Sequence, residues 1–103
     1  MPLEPTFSVS VPGSQDQAME RLADRARDRG LTDRLLTDAR MMREQLTQNP
    51  LRWGDPVYDY HHLELVVCRS VLDLIQVYYA VDPIRQIVYV QQISAVPGRP
   101  LAD

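Results

Sequence analysis

The sequence has 103 residues and a mass of 11.8 kDa, the size of one small domain. Eleven basic residues stand against 14 acidic ones, which gives a net charge of −3 with neutral histidines. All eleven basic residues are arginine, so a Schiff-base lysine and a phosphate-loop lysine are excluded. Because its net charge is negative, the chain also lacks the overall positive charge that is typical of a general nucleic-acid-binding protein.

The number of cysteines and the lengths of the apolar runs give an expectation for the cellular localisation of the protein. The single Cys68 cannot form an intramolecular disulfide, which favours a reducing compartment. The start of the chain has no basic segment of the kind that opens a signal peptide. The longest apolar runs, such as Val77 to Val81, are far shorter than the roughly 20 residues of a membrane helix. We therefore expect a cytoplasmic protein with no membrane contact.

The first half of the sequence predicts a strand followed by two helices. Residues 6–11 alternate apolar and small polar side chains, the period of a half-buried strand. Apolar residues at three- and four-residue intervals predict amphipathic helices over about 15–29 and 32–48. Because only two or three residues join these helices, we expect an antiparallel hairpin.

Residues at the ends of the two helices indicate how each helix begins and ends. Ser14 and Gln17 have capping-box spacing before the first helix, and Thr32 or Asp33 is the expected cap of the second. Gly30 is placed to end the first helix in the left-handed region, and Asn49-Pro50 closes the second.

The second half predicts a loop and then three strands. Residues 50–62 contain Pro50, Gly54 and Pro56 and are expected to form a loop. Residues 62–72, 74–81 and 85–96 are rich in Val, Ile, Leu and Tyr, with an Asp82-Pro83 turn signal between the last two. The strand positions expected to share one face are Ile75, Val77, Tyr79 and Val81. Consecutive strands of this kind form an antiparallel meander, and the helical hairpin must cover one of its faces. The predicted fold is a single two-layer α+β domain.

Two segments of this sequence carry a resemblance to a known family. The connector Leu51-Arg52-Trp53-Gly54-Asp55-Pro56 precedes the meander, and Val77-Tyr78-Tyr79-Ala80-Val81-Asp82 is followed by Ile87-Val88-Tyr89-Val90. With the order strand, helix, helix and meander, these segments resemble the RelE/ParE superfamily of toxins from type II toxin–antitoxin systems, over about residues 5–96. The resemblance implies a β-α-α-β-β-β fold with the helical hairpin on an antiparallel sheet.

The same resemblance implies a function and a set of partners. Family members are small cytoplasmic toxins that a cognate antitoxin protein neutralises. Some cut messenger RNA, often on the ribosome, without a metal or another cofactor, and others poison DNA gyrase. The cutting members use basic side chains to stabilise developing phosphate charge and a separate group to move protons. We therefore expect a toxin-like protein that is a candidate messenger RNA endoribonuclease.

Carried over by position, the resemblance implies three basic site residues. Arg52 matches the connector, Arg69 lies on the first meander strand, and Arg99 follows the last strand. On the second meander strand, Ile75 or Gln76 occupies the place where cutting members have an arginine.

The proton-moving group is left open by the resemblance, because no Tyr or His follows Arg99. His61, His62, Tyr79 and Tyr89 are the candidates. Each has a structural alternative: the histidines in a turn-like stretch, and the tyrosines in cross-strand packing. Adjacent histidines on a strand point to opposite faces, so we expect no metal site there.

Two further functions stay open at this point. One is a toxin-fold protein that acts by binding a partner, such as a gyrase-type target, without catalysis. The other is a diverged structural or dimerising module. An unpaired meander strand offers an edge for an antitoxin peptide, or for a homodimer in its absence.

Overall fold

The computed structural model describes residues 6–60 and 64–102, which form an α+β fold of three helices and a five-stranded sheet. In chain order the elements are β1 (Ser8–Ser10), α1 (Gly13–Asp28), α2 (Thr32–Gln48), α3 (Pro50–Trp53), β2 (Asp55–Tyr60), β3 (Leu65–Val71), β4 (Ile75–Asp82) and β5 (Ile87–Ala95). Both long helices and the last three strands lie close to their predicted positions.

The sheet is mixed, so the expectation of an antiparallel sheet is wrong at one edge. Its strand order is β1-β5-β4-β3-β2, and β1 runs parallel to β5 while the other neighbours are antiparallel. A tight turn forces its two strands to be antiparallel, but three helices and three strands separate β1 from β5 along the chain. Nothing local therefore dictates the direction of β1.

The prediction of a loop over residues 50–62 is also wrong. Pro50 begins the one-turn helix α3, where a missing N–H costs nothing, and Asp55–Tyr60 forms the outer strand β2. Pro56 is tolerated because β2 is an edge strand, and the pairing of β2 with β3 shifts register between Pro56 and Tyr58. The start of the strand predicted at residue 62 lies outside the described residues, and β3 is described from Leu65.

Neither helix uses the side-chain cap that its sequence predicts. Helix α1 begins after Pro12 and helix α2 after Leu31, and neither N-terminus has a side-chain capping bond. The Ser14 to Gln17 capping box and the Thr32 or Asp33 cap are therefore wrong.

The end of helix α1 follows its prediction. Gly30 has a φ of +70°, in the left-handed region that glycine adopts at little cost. The Leu31 N–H donates to the Ala26 carbonyl at 2.7 Å and the Gly30 N–H donates to the Arg27 carbonyl at 3.3 Å. These two bonds form a Schellman motif, which turns the chain sharply into α2.

One face of the sheet forms the core with the helices. The predicted row on β4 is confirmed, because Ile75, Val77, Tyr79 and Val81 are all fully buried. Cys68 on β3 and the alternate residues of β5 belong to the same apolar cluster, which Leu22, Ala26, Leu35 and Leu46 complete from the helix side. The helix layer therefore covers this face, and no helix among residues 6–60 and 64–102 covers the opposite face, which we call the uncovered face.

A buried carboxylate joins the helix layer to the sheet. Asp38 of α2 accepts hydrogen bonds from the backbone N–H groups of Asp73 at 3.3 Å, Leu74 at 2.7 Å and Ile75 at 3.3 Å. Asp38 is only 3% exposed, so these donors replace the water that its charge would otherwise need. Next to it, Arg34 forms a bidentate ion pair with Asp73, with both N–O distances at 2.8 Å.

The segment after β5 is held against helix α1 by arginines. Arg25 donates to the Leu101 carbonyl at 2.9 Å, and Arg29 donates to the carbonyls of Pro100 at 2.9 Å and Ala102 at 2.7 Å. Leu101 itself is fully buried in the core cluster. These arginines therefore stabilise a backbone segment that has no regular secondary structure.

Asp82 organises the turn between β4 and β5, as the Asp82-Pro83 signal predicts. One carboxylate oxygen accepts from the backbone N–H groups of Ile84 at 3.1 Å and Arg85 at 2.9 Å. The other pairs with the Arg85 guanidinium at 3.1 Å. The Arg85 N–H and, after it, the Arg85 side chain favour the charged carboxylate and hold the pKa of Asp82 below its usual value.

We predict that Asp38→Ala lowers the free energy of unfolding by about 3 kcal/mol, because it strands buried N–H donors at the β3–β4 turn. Asp38→Asn keeps an oxygen for Leu74 and Ile75 and should cost less. Glu44→Ala, an exposed acid on the same helix, is the matched control and should change stability by less than about 0.5 kcal/mol. Urea denaturation followed by circular dichroism measures all three. Equal losses for Asp38→Ala and Glu44→Ala would contradict the proposed role of Asp38.

We also predict that acid destabilises the protein partly through Asp82. Because its folded pKa is lowered, its contribution is present above the unfolded value near pH 4 and is lost as the pH falls through the folded value. Asp82→Asn should therefore flatten the fall in denaturation midpoint between roughly pH 5 and pH 2, and Arg85→Gln should flatten it partly. Midpoint curves of Asp82→Asn and wild type that run parallel over this range would refute the assignment.

Candidate functional site

Arg69 is the predicted site residue that lies on the uncovered sheet face. It projects from β3 beside Tyr78 of β4, with its guanidinium carbon 5.8 Å from the Tyr78 ring centroid. Gln76 accepts two hydrogen bonds from Arg69, at 2.8 and 3.2 Å, and donates to the Ser94 hydroxyl at 3.2 Å. These contacts fix the guanidinium in place and leave further N–H donors for a ligand or partner.

A row of side chains next to Arg69 gives the uncovered face its shape. Tyr58, Val67, Ala80 and Tyr89 are cross-strand neighbours on β2, β3, β4 and β5. The two middle residues are small and buried, at 7% and 2% exposed, whereas Tyr58 and Tyr89 are 58% and 39% exposed. The row is therefore a trough with an apolar floor and a tyrosine at each side. We call these four residues with Arg69 and Tyr78 the tyrosine face.

Tyr79 lies on the other side of the sheet, in the core. Its Cα pairs with Cys68, its ring stacks on Trp53 at a centroid distance of 5.9 Å, and its hydroxyl donates to the Pro50 carbonyl at 2.5 Å. Burial, followed by the nearby Cys68 thiol, raises the pKa of Tyr79 well above its usual value. A buried phenol with a raised pKa that already donates to the backbone is poorly suited to moving protons for a substrate.

Cys68 and Trp53 belong to this same buried group. Burial raises the pKa of the Cys68 thiol, so the thiolate that a nucleophile requires is disfavoured. Trp53 fixes the connector onto the sheet through its stacking with Tyr79.

The other two predicted arginines lie outside the strands that carry the tyrosine face. Arg52 is exposed on helix α3, whose neighbour Trp53 packs on the core side. Arg99 donates to the carbonyls of Leu72 at 2.6 Å and Asp73 at 3.2 Å, which ties the segment after β5 to the β3–β4 turn. Tyr79 therefore lies on the opposite face of the sheet from Arg69, and the Arg99 guanidinium is engaged at the β3–β4 turn.

The remaining candidates are the two histidines and Tyr89. His61 and His62 lie outside the described residues. Tyr89 is on the tyrosine face, one strand beyond Ala80.

Residues 6–60 and 64–102 contain no group of three or more His, Cys, Asp or Glu placed to hold a metal ion. Over the same residues, no helix is long and apolar enough to cross a membrane.

The two sheet edges offer less to a partner strand than the sequence suggests. Strand β1 has three residues, and β2 carries Pro56, which has no N–H, next to its change of register. Short strands, proline and bulges are features that discourage pairing at an edge. The tyrosine face is therefore the better candidate surface for a partner.

Sequence reasoning missed the tyrosine face as a unit. Tyr58 falls in the segment expected to be a loop, and the sequence predicts Tyr89 to be a packing residue or a proton-moving group. The sequence feature that could have indicated this face is the second face of β4. There Gln76, Tyr78 and Ala80 alternate with the residues of the buried row. Asp38 carries a similar signal, since a lone acid sits within the apolar stripe of α2.

Comparison with known proteins adds no relative to this description. No family model, curated protein or solved structure matches the chain.

We predict that Gly54→Ala destabilises the protein by about 2 kcal/mol, because a Cβ at residue 54 would overlap the Tyr79 hydroxyl and press on the Arg69 carbonyl. Gly13→Ala is the matched control, since nothing lies within 4 Å of a Cβ there. A double-mutant cycle with Tyr79→Phe tests the cause, because removing the hydroxyl makes room for the new methyl group. Additive losses of unfolding free energy for Gly54→Ala and Tyr79→Phe would show that the two positions do not compete for space.

Proposed function

We propose that this protein is the toxin-like component of a toxin–antitoxin pair and that it acts by binding a protein partner through the tyrosine face. The order of elements and the connector and hairpin segments motivate the first part of the proposal. The observation that carries the second part is the placement of Arg69 and Tyr79 on opposite faces of the sheet. A residue set divided between the core, a turn and an open face favours binding over catalysis.

The composition of the tyrosine face suits a protein partner. Tyrosine and arginine are enriched among the residues that dominate protein interfaces, where they contact a partner around small buried neighbours. Tyr58 and Tyr89 flank the floor formed by Val67 and Ala80, and Arg69 is held in a defined position by Gln76. Fixed side chains lose less conformational entropy on binding.

The charges of this face favour a protein over a nucleic acid. Arg69 is the only basic residue in the five described strands, and its register partner on β2 is Asp55. A nucleic-acid backbone requires several cations along its path, since binding depends on the number of phosphates neutralised.

Cleavage of ribosome-bound messenger RNA is the second candidate function. Arg69 beside Tyr78 favours it, because a fixed guanidinium can stabilise phosphate charge and a tyrosine ring can stack on a base. In that case the proton-moving group must come from Tyr89, Tyr58 or a residue outside the described ranges.

Inducible expression scored for growth arrest and for messenger RNA integrity tests both candidates. We expect arrest without loss of RNA, and Arg69→Ala and Tyr89→Ala should each relieve it, because loss of a central interface side chain weakens binding by about tenfold or more. Arg40→Ala, which removes an exposed arginine from α2, is the matched control and should leave arrest unchanged. Urea denaturation of the purified variants separates lost binding from lost folding.

The outcomes decide between the candidates. Ribosome-dependent cleavage that Arg69→Ala abolishes would replace the binding proposal with the second candidate. A folded protein that causes no arrest would overturn both. Arrest that neither Arg69→Ala nor Tyr89→Ala relieves would place the functional surface away from the tyrosine face.

A further inference from the structure

A cavity of about 380 Å³ lies on the helix side of the sheet, between α1, α2 and the strands β1 and β5. Most of its wall is apolar, and two flexible side chains, Met19 and Met42, form part of it. This volume is at the lower end of those found for sites that bind small molecules. Because Val90 and Ile93 of its wall belong to the core side of β5, the cavity is separated by the sheet from the tyrosine face.

Three polar residues interrupt the apolar wall: Asp16, Arg43 and Thr47. The Thr47 hydroxyl donates to the Arg43 backbone carbonyl at 2.7 Å, so it is already engaged. The Arg43 guanidinium is exposed and forms no hydrogen bond or ion pair within the described part of the chain. Arg43 therefore lines an apolar space and has a guanidinium whose donors are unused.

The local charges favour an anion over a cation at this wall. Arg40 lines a neighbouring depression that shares Ala39 and Arg43 with the cavity, so two arginines of α2 contribute to this part of the surface. Asp16 opposes them, but it sits in the first turn of α1, where the positive end of the helix dipole offsets its charge.

We propose that this cavity binds a small apolar molecule with a single carboxylate, of the medium-chain fatty acid type. The carboxylate pairs with Arg43, whose planar guanidinium can hold both oxygens. The hydrocarbon chain fills the space beside Met19 and Met42, whose flexible side chains adjust to its length. Burial of that chain supplies most of the affinity, and Arg43 supplies the preference for an acid.

Titration with decanoate, below the concentration at which it forms micelles, tests the site in protein with ¹³C-methyl-labelled methionine. The methyl resonances of Met19 and Met42 should shift and saturate, whereas Met41, which is 42% exposed and does not line the cavity, should stay in place. Octanoate should bind about tenfold more weakly, because each buried methylene contributes about 0.8 kcal/mol.

Matched charge variants test the role of Arg43. We expect Arg43→Gln to weaken decanoate binding by about tenfold, and Arg40→Gln, the same change one turn away, to weaken it by less than about threefold. Asp16→Asn should strengthen binding, because it removes the opposing charge.

Three results would overturn the proposal. The first is an absence of saturable shifts at Met19 and Met42 in the wild type. The second is equal weakening by Arg43→Gln and Arg40→Gln, which would indicate a general charge effect. The third is tighter binding of decylamine than of decanoate, which would mean that Asp16 sets the preference. None of these results bears on growth arrest, so the proposal for the cavity and the proposal for the tyrosine face are tested independently.

Discussion

The contact between Asp38 and the β3–β4 turn holds the two layers of this protein in one arrangement. A carboxylate taken out of water is stable only when donors surround it, and the backbone N–H groups of residues 73 to 75 provide them. The same turn receives Arg34 from α2 and Arg99 from the segment after β5. The orientation of α2 over the sheet is thereby determined at one end, and the apolar alternation of β4 decides which face of the sheet the helices cover.

The covering of one sheet face separates the residues that the sequence analysis grouped as a candidate site. Neighbouring residues on a strand point to opposite faces, so Tyr78 and Tyr79 cannot serve the same site. Covering one face commits Tyr79 to the core, where its ring meets Trp53 and its hydroxyl meets Pro50. Arg69 is left beside Tyr78 on the other face. The residues that the sequence analysis grouped as one candidate site are thus divided between the two faces of the sheet.

Local pattern predicted much of the fold. The two amphipathic helices, the turn at Gly30 and the buried row of β4 all follow from periodicity and from one glycine, because each depends on residues close together in sequence. Strand β2 was missed because Pro56 is a strand breaker except at an edge, and edge position is a property of the whole sheet. The parallel pairing of β1 could not be predicted either, because the direction of an edge strand relative to its neighbour is also a property of the whole sheet.

The site was less predictable than the fold. Arg25, Arg29 and Arg99 are held by backbone carbonyls, which carry no sequence signature, so the roles of these arginines could not be foreseen. Arg85 pairs with an acid, Asp82, whereas Arg69 pairs with an amide, Gln76. The sequence therefore shows which positions carry an arginine, but it does not show which group each arginine contacts.

The pairing of β1 with β5 also bears on how the chain reaches its native state. The first strand and the first long helix both make their main sheet contacts with the last strand, nearly 80 residues further along. Such contacts raise the contact order, so the entropy of closing a long loop must be overcome before they stabilise anything. Helix α1 lacks its main strand partner until β5 has been synthesised. Folding during synthesis should therefore be late and cooperative, with no stable intermediate built from the amino-terminal half alone.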